Sequence, residues 1–263
     1  MYPEIHLGPV TIQTFGLMFA LAFLAAGALI GKRLREIGRP VDWAYEMGFA
    51  ALIGGIVGSR LYFIVENYDS VKDDLLGNLF SGSGLVWYGG AIGGTIAVLI
   101  WAWYRDFLGL ALLDLAAPAL ALGYAIGRCG CQLSGDGDYG KAWDGPWAMS
   151  YPDGTVPTDQ TVHPTPIYET LAMGLGAWIL WQLRDRFRAG VLFAIYLIYA
   201  GAERFLVEFI RRNSDTALGL TTAQLESLAM MLVGVIGLYA AKRAYGGLTR
   251  SNQRATADTR LAG

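Results

Sequence analysis

Long stretches almost free of charge alternate along the chain with short polar connections. Seven of them, at 14–30, 43–65, 84–103, 110–126, 166–183, 190–202 and 224–241, are near or extendable to the roughly 20 residues that a helix needs to cross hydrocarbon. The second carries Glu46 and Arg60 inside it. Glycine steps such as Gly54-Gly55-Ile56-Val57-Gly58 and Gly89-Gly90-Ala91-Ile92-Gly93-Gly94 fit this pattern, because lipid-embedded helices pack through small residues. The expectation is an all-α integral membrane protein, with residues 1–248 forming one domain of seven transmembrane helices. The connection 128–165 is far longer than a bundle needs. It is rich in Gly, Asp, Pro and aromatic residues, which favour turns over a helix, so it is expected to form a small extracytoplasmic cap between spans 4 and 5. Residues 1–13 are short and mixed in character and are expected along the outer interface, and 249–263 reads as a cytoplasmic polar tail.

Composition sharpens the membrane reading. Apolar residues make up 54% and charged residues 16% of the 263, against roughly 25% charged in soluble domains, which argues against a soluble all-α protein. The net charge of −2 leaves partners unread and gives no reason to expect nucleic acid. The distribution of cations is more informative. Seven spans put Lys32, Arg33, Arg35, Arg39, Arg105, Arg184, Arg186, Arg188, Lys242, Arg243, Arg250, Arg254 and Arg260 on one side, and Lys72, Arg128, Lys141, Arg211 and Arg212 on the other. The positive-inside rule then places the N-terminus outside and the C-terminus in the cytoplasm. The first span lacks the basic leader of a cleaved signal peptide. Cys129 and Cys131 stand too close for an ordinary disulfide and are too few for a zinc site, so neither metal nor cofactor is expected.

Ionisable groups inside a membrane are expensive and call for a partner or a function. Arg204, Glu208 and Arg211 recur at i, i+4 and i+7, on one stripe of a helix. Two guanidiniums against one carboxylate leave positive charge over, and Arg matches phosphate bidentately. The stripe reads as an anion site near the outer leaflet, or else as an ion-paired helix end. Arg128, at the end of the fourth span among small residues, and Arg60 add cations toward the same leaflet. Asp136 and Asp138, Tyr88, and His163 and Glu169 in His163-Pro164-Thr165-Pro166-Ile167-Tyr168-Glu169 lie alongside, Glu169 being expected to pair with an arginine. An organic-anion transporter is disfavoured, since no repeated half or paired broken helices are visible.

These stretches together resemble the prolipoprotein diacylglyceryl transferase family. The resemblance runs in order along nearly the whole chain, through Gly8-Pro9-Val10, Gly16-Leu17-Met18, Gly58-Ser59-Arg60, Tyr88-Gly89-Gly90, Gly127-Arg128-Cys129-Gly130 with Gly135-Asp136, His163 to Glu169, and Arg204 to Arg211. It implies a multi-pass enzyme of the bacterial cytoplasmic (inner) membrane, among membrane lipids, with phosphatidylglycerol and prolipoprotein signal peptides as partners. The diacylglyceryl group passes to the lipobox cysteine as a thioether, and glycerol 1-phosphate is released. By resemblance, Arg128 and Arg204 are the essential arginines, Glu208 and Arg211 an ion-paired helix, and Gly89, Gly90, Gly130 and Gly135 close-approach positions. Arg60, Ser134 and Glu169 join the substrate-binding set. Asp136 joins the arginines at the phosphate, and it, Tyr88 and His163 stay open as acceptors of the thiol proton.

The chain departs from the family pattern at several polar positions. Tyr88 stands where a His is usual, Cys131 and Ser134 where Asn is usual, and Asp136 where Glu is usual; Phe15 and Ala200 replace tyrosines. The arginines are kept while their polar neighbours change. A second reading therefore stands beside the transferase: a divergent paralogue that binds lipid without chemistry or serves another acceptor.

Overall fold

The computed structural model describes residues 1–68, 86–214, 216 and 219–250. The first residues of the expected third span, Lys72, and the tail beyond Arg250 lie outside them. Seven helices are present among the described residues: α1 (Thr14–Glu36), α2 (Trp43–Glu66), α3 (Trp87–Tyr104), α4 (Leu110–Ser134), α5 (Thr165–Leu183), α6 (Val191–Glu208) and α7 (Thr222–Tyr245). Four of these, α1, α2, α4 and α7, are long and apolar enough to cross a membrane. Leu24, Phe49, Val65, Leu171 and Leu232 turn outward from their helices. Apolar faces of this extent suit hydrocarbon rather than water, and the chain is a membrane protein.

Contacts divide the chain into two units, one of Gly27–Leu112 and one of Met1–Ala26 with Leu113–Gly263. In the first of these, α2 and α3 meet through glycine. A Cβ on Gly58 would lie 2.4 Å from the Gly89 carbonyl oxygen, and one on Gly93 would lie 2.3 Å from that of Gly54, so the two backbones touch. Ser59 Oγ donates to the Val86 carbonyl at 2.9 Å beside this seam. Near the other end, the Glu46 carboxylate accepts from Trp101 Nε1 and Arg105 Nε, each at 2.8 Å, which pairs the charge that the hydropathy pattern left inside the second span.

In the other unit, α4, α5 and α6 share a core of small residues, Ala117, Ala121, Ala125, Ala177 and Ala200, filled by Met173, Leu180 and Leu192. Gly176 admits the Tyr199 ring, and Gly201 lets α6 approach the Ser227 carbonyl of α7. α6 starts at Gly190, whose φ of +86° suits a residue without a side chain. Asp114 of α4 caps it by accepting from Gly190 N at 2.7 Å and Phe193 N at 2.9 Å. α7 opens with a capping box between Thr221 and Gln224.

Two short hairpins complete this unit. Residues 1–13, expected only as an interfacial segment, form an antiparallel pair, β1 (Glu4–Leu7) with β2 (Val10–Gln13). The connection between α4 and α5 carries β3 (Met149–Tyr151) and β4 (Thr158–Val162) over a small core of Tyr139, Tyr151 and Val162. It is stitched to the end of α6, since Lys141 N donates to Ile210 O at 2.7 Å and Arg212 Nε to Gly140 O at 2.9 Å. The expected polar tail starts with order, because Thr249 bridges to Phe187.

Candidate active site

Tyr124 and Arg128 are four residues apart on α4 and so lie side by side on one face. Arg128 Nη2 donates to Tyr124 Oη at 3.0 Å, and that hydroxyl donates to Glu169 Oε1 on α5 at 2.8 Å. Arg128 Nε lies 3.2 Å from Glu169 Oε2. From α6, Arg204 Nη1 reaches Glu208 Oε2 at 2.9 Å and Glu169 Oε1 at 3.7 Å. Arg211 approaches Glu169 at 3.5 Å and Glu208 at 3.7 Å. Arg128 and Arg211 both bind the carboxylate of Asp138, one to each oxygen, and Asn213 Nδ2 donates to Glu208 Oε1 at 2.6 Å.

Three guanidiniums thus meet three carboxylates. This corrects the expectation of surplus positive charge along α6: Glu169 and Asp138, from outside that helix, balance it. Glu169 and Glu208 have fully buried side chains, whereas that of Asp138 is 31% exposed. The balance is incomplete in hydrogen bonds. Arg204 Nη1 and Arg211 Nε are both buried within ion-pair range of Glu208 Oε2, yet none of the three atoms makes an aligned hydrogen bond. The two guanidinium donors therefore keep hydrogen-bonding capacity that an oxygen ligand would use.

Two further expectations change in detail. Arg128 does not end its helix, because α4 continues to Ser134. Arg211 lies beyond α6, on a tight turn in which its own N–H bonds to Glu208 O, and reaches the cluster from there. Of the two aspartates expected nearby, Asp138 is the one on the arginines. Asp136 instead accepts from the Asp138 N–H at 3.3 Å. Gly135 and Gly137, at φ +59° and +93°, set that turn, and a Cβ on Gly135 would lie 2.7 Å from Gly154 Cα. Burial pushes the Asp138 carboxyl up, and the guanidiniums of Arg128 and Arg211 outweigh it, holding its pKa below the usual value.

His163 stacks on Trp143 with centroids 4.3 Å apart, and its Nδ1 lies 3.4 Å from Tyr168 Oη, which accepts from Trp147 Nε1 at 2.7 Å. Desolvation lowers its pKa, so the ring is neutral at pH 7. Gly130 faces α1, where a Cβ would lie 3.1 Å from Met18 Cβ, and Ser134 Oγ donates to Gly130 O at 2.8 Å. Cys129 and Cys131 are both free. Cys131, Asp136 and Asp138 offer ligand atoms within 4.8 Å of one another, but Arg128 Nη1 stands 3.7 Å from the Cys131 sulfur, a poor neighbour for a metal cation. Arg60, Tyr88, Gly89 and Gly90 belong to the other unit, where Arg60 is buried, Tyr88 is exposed and Gly89 serves the contact with α2. Tyr124 and Asn213 were missed in the sequence, although the i, i+4 spacing of Tyr124 to Arg128 was a usable signal.

Apolar helices long enough to cross a membrane, and a buried arginine–carboxylate cluster roofed by a small folded loop, define a polytopic membrane protein with an internal polar site. Residues 4–240 match the family described as prolipoprotein diacylglyceryl transferase, and the chain belongs to it. It is 34% identical over 239 residues to the phosphatidylglycerol–prolipoprotein diacylglyceryl transferase of Clostridium tetani, covering 86% of this chain and 95% of that one. The protein of that name from Leptospira interrogans is 32% identical over 233 residues, covering 76% and 72%. That from Dehalococcoides mccartyi is 32% identical over 238 residues, covering 87% and 89%.

Proposed function

We propose that this chain transfers the diacylglyceryl group of phosphatidylglycerol to the lipobox cysteine of prolipoprotein signal peptides, forming a thioether and releasing glycerol 1-phosphate. The observation that carries this reading is the buried Arg128, Arg204 and Arg211 cluster, with guanidinium donors left unaligned, in a chain of this family. The cysteine sulfur attacks the glycerol carbon, an S–C bond forms, and the C–O bond to phosphate breaks with its electron pair going to the phosphate. Charge therefore builds on the leaving group, where preorganised guanidiniums lower the barrier. Arg128 and Arg204 take the phosphate, Arg211 joins them from beside Arg128, and Glu169 and Glu208 keep the three oriented. His163, neutral at pH 7, is a suitable acceptor for the thiol proton, with Tyr88 and Asp136 as the other candidates. Gly89, Gly90, Gly130, Ser134 and Arg60 complete the substrate-binding set.

The setting is the bacterial cytoplasmic membrane, crossed seven times, with the N-terminus and the cap outside and the C-terminus inside. Purified protein in liposomes, given phosphatidylglycerol with a labelled acyl chain and a lipobox peptide, tests the reading. Thioether-linked product is expected from the native chain and at least about a hundredfold less from Arg204→Ala, the usual loss for one such donor. Absence of product from the native chain, or equal product from both, overturns it.

A further inference from the structure

We infer that Asp138 is a displaceable internal anion, whose carboxylate holds the place on Arg128 and Arg211 that the phosphodiester of the donor lipid takes, and turns away as the lipid enters. The inference rests on the transferase reading and adds a residue to it. Of the three carboxylates in the cluster, Asp138 alone has a side chain open to solvent, at 31% against 0% for Glu169 and Glu208. The other two are rooted in helices and tied by further bonds, Glu169 to Tyr124 and Glu208 to Asn213, whereas Asp138 has beside its arginines the weak thiol donor of Cys131.

The backbone around Asp138 is pinned. Its carbonyl accepts from Thr165 Oγ1, its N–H donates to Asp136, and Gly140 N donates to His163 O at 2.8 Å. Release therefore needs only rotation of a short side chain toward solvent, with the loop left in place. Both arginines keep a partner after that rotation, Arg128 through Glu169 at 3.2 Å and Tyr124 at 3.0 Å, and Arg211 through Glu169 at 3.5 Å. Their donors stay aimed at the vacated position.

Charge counting supports the exchange. Three guanidiniums face three carboxylates, and a phosphodiester carries one negative charge, as the departing carboxylate does. One monoanion replaces another while Glu203, whose carboxylate also feels all three arginines, stays as it was, so the net charge of the cluster is unchanged and no uncompensated ion is created. A zwitterionic lipid brings its own cation and gains nothing by the swap. The cost is that the site competent for lipid is only partly populated, which raises the apparent dissociation constant in proportion.

The test uses the full chain and reads binding without turnover. In nanodiscs of phosphatidylcholine, affinity for added phosphatidylglycerol is expected to rise roughly tenfold in Asp138→Asn and to stay unchanged in Asp153→Asn, a control on the exposed surface of the same loop. A parallel measurement needs no variant. Carboxyl footprinting by mass spectrometry on the native protein should label Asp138 faster in phosphatidylglycerol than in phosphatidylcholine nanodiscs, with Glu169 and Glu208 unlabelled in both. Unchanged or weaker affinity in a folded Asp138→Asn protein, or flat or slower labelling of Asp138, overturns the inference. A chain that transfers diacylglyceryl with flat labelling loses the displacement alone; one that transfers nothing yet shows the labelling change loses the transferase reading and keeps the displacement.

Discussion

Glu169 lies within ion-pair range of three guanidiniums while showing none of its side chain to solvent, and this makes it the residue on which the cluster depends. Removing its charge strands Arg128, Arg204 and Arg211 with two carboxylates. Glu169→Gln is therefore expected to cost about 3–5 kcal/mol, the range for breaking a buried pair, read as a lower melting temperature in detergent. An unchanged melting temperature would show that the arginines are held by other means. Asp138 gives a pH signature. Its folded pKa is below the unfolded value of roughly 3.9, so its stabilisation is present above that value and lost as pH falls through the lowered folded one. The native chain should outlast Asp138→Asn on heating at neutral pH, and the gap should close in acid; a gap that persists would place the stabilisation elsewhere. The arginines, Glu169 and Glu208 were legible because charged residues inside apolar runs are conspicuous. Which of Asp136 and Asp138 faces the arginines was not, because the left-handed turns at Gly135 and Gly137 decide it and no periodicity runs through them.

Among the elements, α2 and α3 owe their contact to the absence of side chains. A Cβ at Gly58 meets backbone, the Gly89 oxygen at 2.4 Å and Gly93 Cα at 2.7 Å, and backbone cannot rotate away. Gly58→Leu is expected to cost at least about 2 kcal/mol, at the upper end for overpacking, whereas Gly48→Ala, with nothing within 4 Å, should be neutral or better. Melting of the two variants in detergent compares them directly, and equal melting would mean that the two helices part without consequence. Asp114→Ala should cost about 1 kcal/mol by uncapping α6. The seven helices were legible from hydropathy, yet several run further than their apolar windows: α1 extends to Glu36, α4 to Ser134 and α6 to Glu208. Hydropathy ends a helix where charge begins, but paired charges end nothing. The β1–β2 hairpin was missed although Gly8-Pro9 between two alternating runs is a turn signal.

At the scale of the whole molecule, the open quantity is how many helices cross the membrane. Three of the seven, α3, α5 and α6, fall short of the four that qualify by length and composition. The deficit in α3 comes from aromatic and glycine residues at its ends, which suit interfaces. α6 falls short through Glu203, Arg204 and Glu208, whereas α5 carries only Glu169 and falls short through Thr165, Pro166, Tyr168 and Gln182 as well. Glu169, Arg204 and Glu208 are parts of one ion-paired cluster, so their cost in a membrane is smaller than that of the same residues taken singly. The far ends of the same helices gather cations. Arg184 stacks on Trp181, Arg188 on Tyr245, and Arg250 Nε donates to Phe187 O at 2.7 Å, with Lys242 and Arg243 in the last turn of α7. In the proposed topology such an end lies in the cytoplasm, and the acidic, aromatic loop between α4 and α5 outside. Alkaline phosphatase, which is active only outside, should therefore be active when fused after Asp153 and inactive after Arg188, while a green fluorescent protein at the C-terminus should glow. Activity at both fusion sites would mean that α5 does not cross, and the seven-span topology would fail with it. Changing Arg184, Arg186 and Arg188 together to Gln should weaken the contrast between the two fusions without abolishing it, because α7 and its basic end still hold the C-terminus inside.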